Sequence, residues 1–169
     1  MSEILIVNGS ARLNGNTQKI VGRLTEGVPC KILNLAEHYL LPYSYENNYT
    51  PEDQFEQFGK ELLFHQHIIF ATPVYWYSMS GKLKNFFDRI TDWVSSNTEI
   101  GRNLKGKSMQ LIAVGTDGDL PDGFTTPFFM TANYLDMQYR GHLYFNSDKT
   151  PGNEEIAEMR KSFFSFSAD

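Results

Sequence analysis

The segment Gly9-Ser10-Ala11-Arg12-Leu13-Asn14-Gly15-Asn16-Thr17 gathers two glycines, two hydroxyls, two amides and a guanidinium into nine residues. It follows an apolar run, Ile4 to Val7, and precedes a helical pattern. A phosphate needs donors converging from a turn, and the first amides of a helix supply them at the positive end of its dipole. Gly15 allows close backbone approach, while Ser10, Asn16 and Thr17 can add side-chain hydrogen bonds. Arg12 can add charge, to that phosphate or to a second ligand. No lysine precedes Thr17, so this is no Walker A loop, and a nucleoside triphosphate with Mg²⁺ is disfavoured. GxGxxG and the GxSxG of a serine hydrolase are absent too. The plainer alternative is a capped βα turn with Asn16 and Thr17 as N-cap residues.

A second segment, Thr72-Pro73-Val74-Tyr75-Trp76-Tyr77-Ser78-Met79-Ser80-Gly81, also follows an apolar run. Three consecutive aromatics cannot all point into a core, so some face a crevice or a partner and can stack on a planar ligand. Pro73 fixes the backbone there, and Ser78 or Ser80 can cap the helix that follows. The competing reading packs the aromatics against neighbouring helices. A phosphate cradle beside an aromatic shelf calls for a planar heterocycle carrying one phosphate, and flavin mononucleotide (FMN) has that shape.

These loops need elements to hold them. Ile4–Val7, Lys31–Leu35, Ile68–Ala71, Met109–Val114 and His142–Phe145 read as strands. Helical periodicity runs through Thr17–Glu26, Met79–Ser95, Pro127–Met137 and Glu154–Phe164, with Gly27 placed as a C-terminal cap. This alternation predicts an open α/β sheet of parallel strands with right-handed crossovers. Five strands suit the flavodoxin-like order 2-1-3-4-5, a three-layer sandwich formed by one domain over residues 1–169. Ligands then bind beyond the strand ends where the order reverses. That places the site at Gly9–Thr17 and Thr72–Gly81, with Gly115–Gly123 as neighbour.

Residues 9–17 and 72–89, the latter running on through Lys82-Leu83-Lys84-Asn85-Phe86-Phe87-Asp88-Arg89, resemble the two signature segments of the NAD(P)H-dependent FMN reductase family. The order of strands and helices is similar to that family over nearly the whole chain. The resemblance implies an FMN-dependent oxidoreductase that takes a hydride from NADPH or NADH at flavin N5 and passes electrons to a small acceptor such as a flavin or quinone. It implies that Ser10, Arg12, Asn16 and Thr17 hold the phosphate and its surroundings. Pro73, Val74, Tyr75 and Trp76, with Tyr77 nearby, line the ring and ribityl, and Gly115, Thr116 and Asp117 close over the far edge. The flavin carries the chemistry, so no catalytic side chain is demanded. It also implies a homodimer or homotetramer. Some relatives carry a cysteine cluster after the second strand and bind an iron–sulfur centre, but Pro42–Pro51 holds no cysteine. The rival reading is a flavodoxin-type electron carrier without turnover; Arg12 and the aromatic run favour the enzyme.

Composition narrows the field further. The chain has 169 residues, 41% hydrophobic, with 20 acids against 15 bases and a net charge of -5. That balance argues against a nucleic-acid partner. One cysteine, Cys30, cannot form an internal disulfide and reads as a small buried apolar residue in a reducing compartment. No run approaches a membrane span, and the acid-bearing N-terminus does not look like a signal peptide, so a soluble, cytoplasmic protein is expected. His65 and His67 lack an evident third ligand, so no metal is expected. Lys82, Lys84 and Arg89 read as a solvated helix face that could steer an anionic nicotinamide. Asp119 and Asp122 read as a solvated turn, and Asp117 could tune a flavin. Phe163, Phe164 and Phe166 suggest a helix docked on the sheet or on a partner subunit. Tyr43, Tyr45, Tyr49 and Tyr75–Tyr77 put six aromatics in loops, which predicts a homodimer interface bordering the site.

Overall fold

Five parallel strands form one sheet in the order β2-β1-β3-β4-β5. They are β1 (Ile4–Asn8), β2 (Cys30–Asn34), β3 (His67–Pro73), β4 (Ser108–Gly115) and β5 (Gln138–Asn146). The structure is a computed structural model and describes residues 3–95, 98–149 and 151–166. The inner strands β1 and β4 are buried along their whole length and β3 over six of its seven residues, as a sheet covered on both faces requires. The edge strands β2 and β5 are only half-buried.

Helices α1 (Asn16–Thr25) and α6 (Asn153–Phe163) cover one face. Their Ile20, Val21, Leu24, Ile156 and Phe163 pack on Ile4, Ile6, Ile69 and Ile112 of the sheet. On the other face lie α2 (Phe55–Phe64), α3 (Gly81–Ser95), α4 (Glu99–Asn103) and α5 (Thr126–Tyr134). Their core is aromatic: Phe55 stacks on Trp93 at 4.2 Å, and Phe86 meets Phe55, Phe58 and Trp93 edge-on. This is the flavodoxin-like arrangement expected from the sequence.

Some expectations are revised. A helix not expected from the sequence, α2, lies between β2 and β3, with Phe55, Phe58 and Leu62 buried along one stripe. β5 is nine residues long rather than four, with a register irregularity opposite Met109–Leu111. Arg89 does not belong to a solvated face. It is buried, and its guanidinium bonds Asp53, Asp92 and the Leu41 carbonyl. Cys30 is half-buried rather than fully buried, and desolvation raises its thiol pKa.

Candidate active site

The strand order reverses between β1 and β3, since β1 pairs with β2 on one side and β3 on the other. The loops leaving these two strands are stitched together. Gly9 N donates to Ala71 O at 2.8 Å, extending the ladder one residue beyond β1. A Cβ on Gly9 would stand 2.6 Å from that of Leu83, so only glycine lets the first loop lie against α3. Ser80 Oγ donates to Gly9 O at 2.6 Å and accepts from Leu83 N, which makes Ser80 the capping serine of α3. Thr72 Oγ1 in turn accepts from Ser80 N.

The first loop is held from below by Asn8, which is fully buried. Its Oδ1 accepts from Ser10 N, and its Nδ2 donates to Gln18 and Asn34. Ser10 Oγ both accepts from Arg12 N and donates to Arg12 O, which closes the turn. Gly15 is the N-cap of α1, so no side chain occupies the first helical amides. Neither Asn16 nor Thr17 is the cap: Asn16 opens the helix and Thr17 follows within it, the latter buried. The first turn of α1 also carries no acid that could take an anion's place.

The second loop makes a tight turn. Tyr75 and Ser78 exchange reciprocal backbone hydrogen bonds of 2.9 and 3.0 Å. Trp76 and Tyr77 between them have φ of 47° and 62°, a left-handed pair. Such a turn ordinarily selects Asn-Gly. Trp76 is 92% exposed and Tyr77 70%. The third loop is shaped by the end of β5. Tyr144 Oη donates to Asp117 O, Asn146 Nδ2 donates to Thr116 O and Asp117 O, and Ser147 N donates to Gly115 O. Burial, then the charges of Asp117 and Asp119, push the Tyr144 phenol up, so it stays a neutral donor.

A cleft of about 370 Å³ opens where the three loops meet. Of the residues expected there, Ser10, Arg12, Asn16, Thr17, Pro73, Val74, Tyr75, Gly115 and Thr116 line it. Trp76, Tyr77 and Asp117 do not: the left-handed turn carries both aromatic rings outward, and Asp117 is engaged through its backbone while exposed to solvent. Asn14, Lys19, Val114 and Ser147 also line the cleft. Lys19 was legible in principle, four residues beyond Gly15 on the helix. Ser147 was not, because it follows a strand end that composition hides.

His65 and His67 serve other ends. His65 Nδ1 meets Glu61 O, while His67 Nδ1 meets Ser108 Oγ at 2.8 Å and stacks on Phe166. Among the described residues, no group of three or more His, Cys, Asp and Glu could hold a metal ion. No helix among them is long and apolar enough to cross a membrane.

The family model described as NADPH-dependent FMN reductase matches residues 2–152. The chain belongs to that family. It is an NAD(P)H-dependent FMN oxidoreductase, with FMN and NAD(P)H as cofactors. YwqN of Bacillus subtilis (strain 168), named as an NAD(P)H-dependent FMN-containing oxidoreductase, is 25% identical over 150 residues, 83% of each chain. Two solved structures share the fold: the Trp repressor binding protein of Bacillus subtilis and an NADPH-quinone reductase from P. pentosaceus. The first has a TM-score of 0.73 at 22% identity, covering 98% of this chain and 99% of that one. The second has 0.70 at 19%, covering 99% and 100%.

The cleft of this FMN reductase family member fits FMN. An uncapped ten-residue helix faces it, with Arg12 and Lys19 beside it, as a phosphate dianion requires. Close approach is built in: a Cβ on Gly15 would crowd Arg12 at 3.3 Å, and one on Gly115 would meet Tyr144 Oη at 2.8 Å.

Proposed function

We propose that this chain acts as a single flavodoxin-like domain over residues 1–169, a cytoplasmic homodimer or homotetramer that carries reducing equivalents from NAD(P)H to a small acceptor. The observation carrying this reading is the meeting of the uncapped α1 N-terminus with the Pro73–Tyr75 wall in one cleft. FMN held there by the α1 N-terminus and the Pro73–Tyr75 wall would supply the redox chemistry: hydride acceptance at N5 from the nicotinamide and electron release to an acceptor such as a quinone or a second flavin.

The chain's own residues bind and orient. Asn16 and Thr17 would donate hydrogen bonds to the phosphate along with the first amides of α1, Ser10, whose hydroxyl donates to Arg12 O, would hold the turn around it, and Arg12 and Lys19 would offset its charge. Pro73, Val74 and Tyr75 support one side of the ring, much of it through backbone. This strip is rigid because Val74 N is bonded to Val114 O at 2.8 Å. Gly115 and Thr116 lie against the far edge, with Asp117 anchoring the loop. Trp76 and Tyr77, projecting beside the cleft, take part by stacking on whichever planar molecule enters over the ring. The quinone reductase among the structural neighbours supports a quinone as one acceptor.

Two measurements test the proposal. Heat-released flavin from the purified protein should run as FMN; FAD as the only flavin, or apo-protein that takes up none, refutes it. Rapid mixing of the FMN-loaded protein with NADPH or NADH should bleach the flavin within the turnover time. Bleaching by a chemical reductant but by neither nucleotide would make the chain an electron carrier instead.

A further inference from the structure

Tyr144 packs against the aromatic core on the α5 side of the sheet, and Asn146, two residues further along β5, shares that face. Both donate to the turn that leaves β4. The Tyr144 hydroxyl bonds Asp117 O at 2.8 Å, and Asn146 Nδ2 bonds Thr116 O and Asp117 O at 3.0 and 2.8 Å. Ser147 N holds the carbonyl before them, Gly115 O, at 2.7 Å. The Asn146 amide cannot swap its ends, because its Oδ1 accepts from Asp148 N. Three consecutive carbonyls are thus clamped toward β5.

The clamp fixes the amides as well. In a planar trans peptide, the C=O of one residue and the N–H of the next point in opposite directions. The N–H groups of Thr116, Asp117 and Gly118 are therefore turned away from β5. For Thr116 that is the side of β4 on which β3 and the Pro73–Tyr75 wall lie. Among the described residues, none of these three amides has a hydrogen-bond partner in the protein. Successive unpartnered amides of this kind make a concavity that favours negative charge. The carboxylates of Asp117 and Asp119 oppose it only weakly, being exposed and screened by solvent.

We propose that Tyr144 and Asn146 are positioning residues that set the reduction potential of the bound FMN. Hydride transfer breaks the nicotinamide C4–H bond and forms a bond at flavin N5, so the flavin ring gains one negative charge and the nicotinamide one positive charge. The added negative charge spreads over the N1–C2–O2 edge of the ring. Donors already aligned there stabilise the charged, reduced ring more than the neutral, oxidised one. With its carbonyls released, the turn could rotate a peptide and present oxygen in place of N–H, which reverses the sign of the effect. Neither side chain needs to touch the flavin; each acts through the loop.

The inference rests on the reading above that Gly115 and Thr116 lie against the ring. Its test is anaerobic titration of the apo-protein with oxidised and with reduced FMN, for the wild type, Tyr144→Phe and Asn146→Ala. Each variant should lose about tenfold more affinity for reduced than for oxidised FMN. For a two-electron couple, that ratio is a bound-flavin potential lower by about 30 mV, which equilibration with a reference dye reads independently. Amide hydrogen exchange of the wild type, followed by NMR, needs no variant. Residues 116–118 should exchange fast in the apo-protein and gain protection with FMN, and equally with riboflavin, which shares the ring but lacks the phosphate. Equal losses for both oxidation states, with the potential unmoved, would make the clamp structural only and overturn the inference. FMN binding that leaves these amides unprotected would overturn it too. Apo-protein that takes up no flavin would overturn the FMN reading and this inference with it.

Discussion

Arg89 and Asp53 form a bidentate ion pair inside the fold, at 2.9 and 3.1 Å, with their side chains 2% and 5% exposed. The same guanidinium bonds Asp92 and the Leu41 carbonyl and lies 3.6 Å from the Tyr49 ring centroid. One arginine thus straps the segment from Leu41 to Asp53 onto α3, the helix whose N-terminus is tied to the cleft through Ser80. Removing it strands a buried carboxylate. Arg89→Ala should cost about 3–5 kcal/mol in urea unfolding. Arg89→Lys should recover little, because an ammonium cannot form the fork.

Asp53 also sets an acid limit. Desolvation alone would raise its carboxyl pKa, but hydrogen bonds from Arg89 and from the Leu41 and Phe55 amides outweigh it and hold it below the ordinary carboxylate value. The folded state therefore favours the ionised form. Its contribution is complete above the unfolded pKa of about 3.9 and is lost as pH falls through the lower folded value. Melting curves from pH 6 to 2.5 should show an acid decline that Asp53→Asn flattens, on a lower plateau.

His67 acts at a different pH. Desolvation, aided by the charge of Arg140 and opposed by that of Glu3, lowers its pKa, so the fold prefers the neutral ring between Ser108 and Phe166. A lowered histidine pKa means the unfolded chain binds the proton first. Stability should thus fall as pH drops below about 6.5. Comparing melting temperatures at pH 8 and 5.5 checks this, and His67→Gln should shrink the difference.

The three inner strands were legible because each is dominated by apolar residues, with Gln110 the one polar interruption in Met109–Val114, as burial on both faces demands. Two of the three loops could be singled out from residue types, since Arg12, Asn16 and Thr17 beside glycines, or three aromatics in a row, have few structural uses. What stayed hidden depends on long-range contacts. Arg89 looks like any helix-surface cation until Asp53, 36 residues away, closes on it. Helix α2 shows only Phe55, Phe58 and Leu62 as its stripe, interrupted by Gly59, where a Cβ would stand 2.5 Å from Ile100 Cδ1 and 3.0 Å from the Trp93 ring. β5 carries Arg140, Gly141 and His142 in an edge position, so hydropathy marks only its last residues. The outward direction of Trp76 and Tyr77 follows from two left-handed φ values that no composition rule anticipates.

That turn makes its own prediction. Holding two bulky L-residues in the left-handed region costs about 1–2 kcal/mol each. Replacing Trp76-Tyr77 by Asn-Gly fits the turn's backbone and should raise the melting temperature. Turnover with NAD(P)H should fall about tenfold or more, the loss of a stacking contact near 1.5 kcal/mol. A stabilised variant with undiminished turnover would deny the two rings any part in the reaction.

Thr17 and Asn16 offer the sharpest test of the phosphate cradle. Thr17 is buried in the first turn of α1 and Asn16 is exposed beside it, and both line the cleft. Because Gly15 is the cap, alanine at either position removes no capping bond and should leave the melting temperature of the apo-protein within about 1 °C for Asn16→Ala. Each substitution deletes a donor to a charged group, a loss of about 1.5–3 kcal/mol, or roughly ten- to a hundredfold in FMN affinity. Titration of the apo-protein, followed by flavin fluorescence, measures it. Riboflavin, which lacks the phosphate, supplies the control: its weaker binding should be nearly unchanged in both variants. Equal losses for FMN and riboflavin would mean that these side chains shape the cleft rather than hold the phosphate. Unchanged FMN affinity in both would place the phosphate elsewhere.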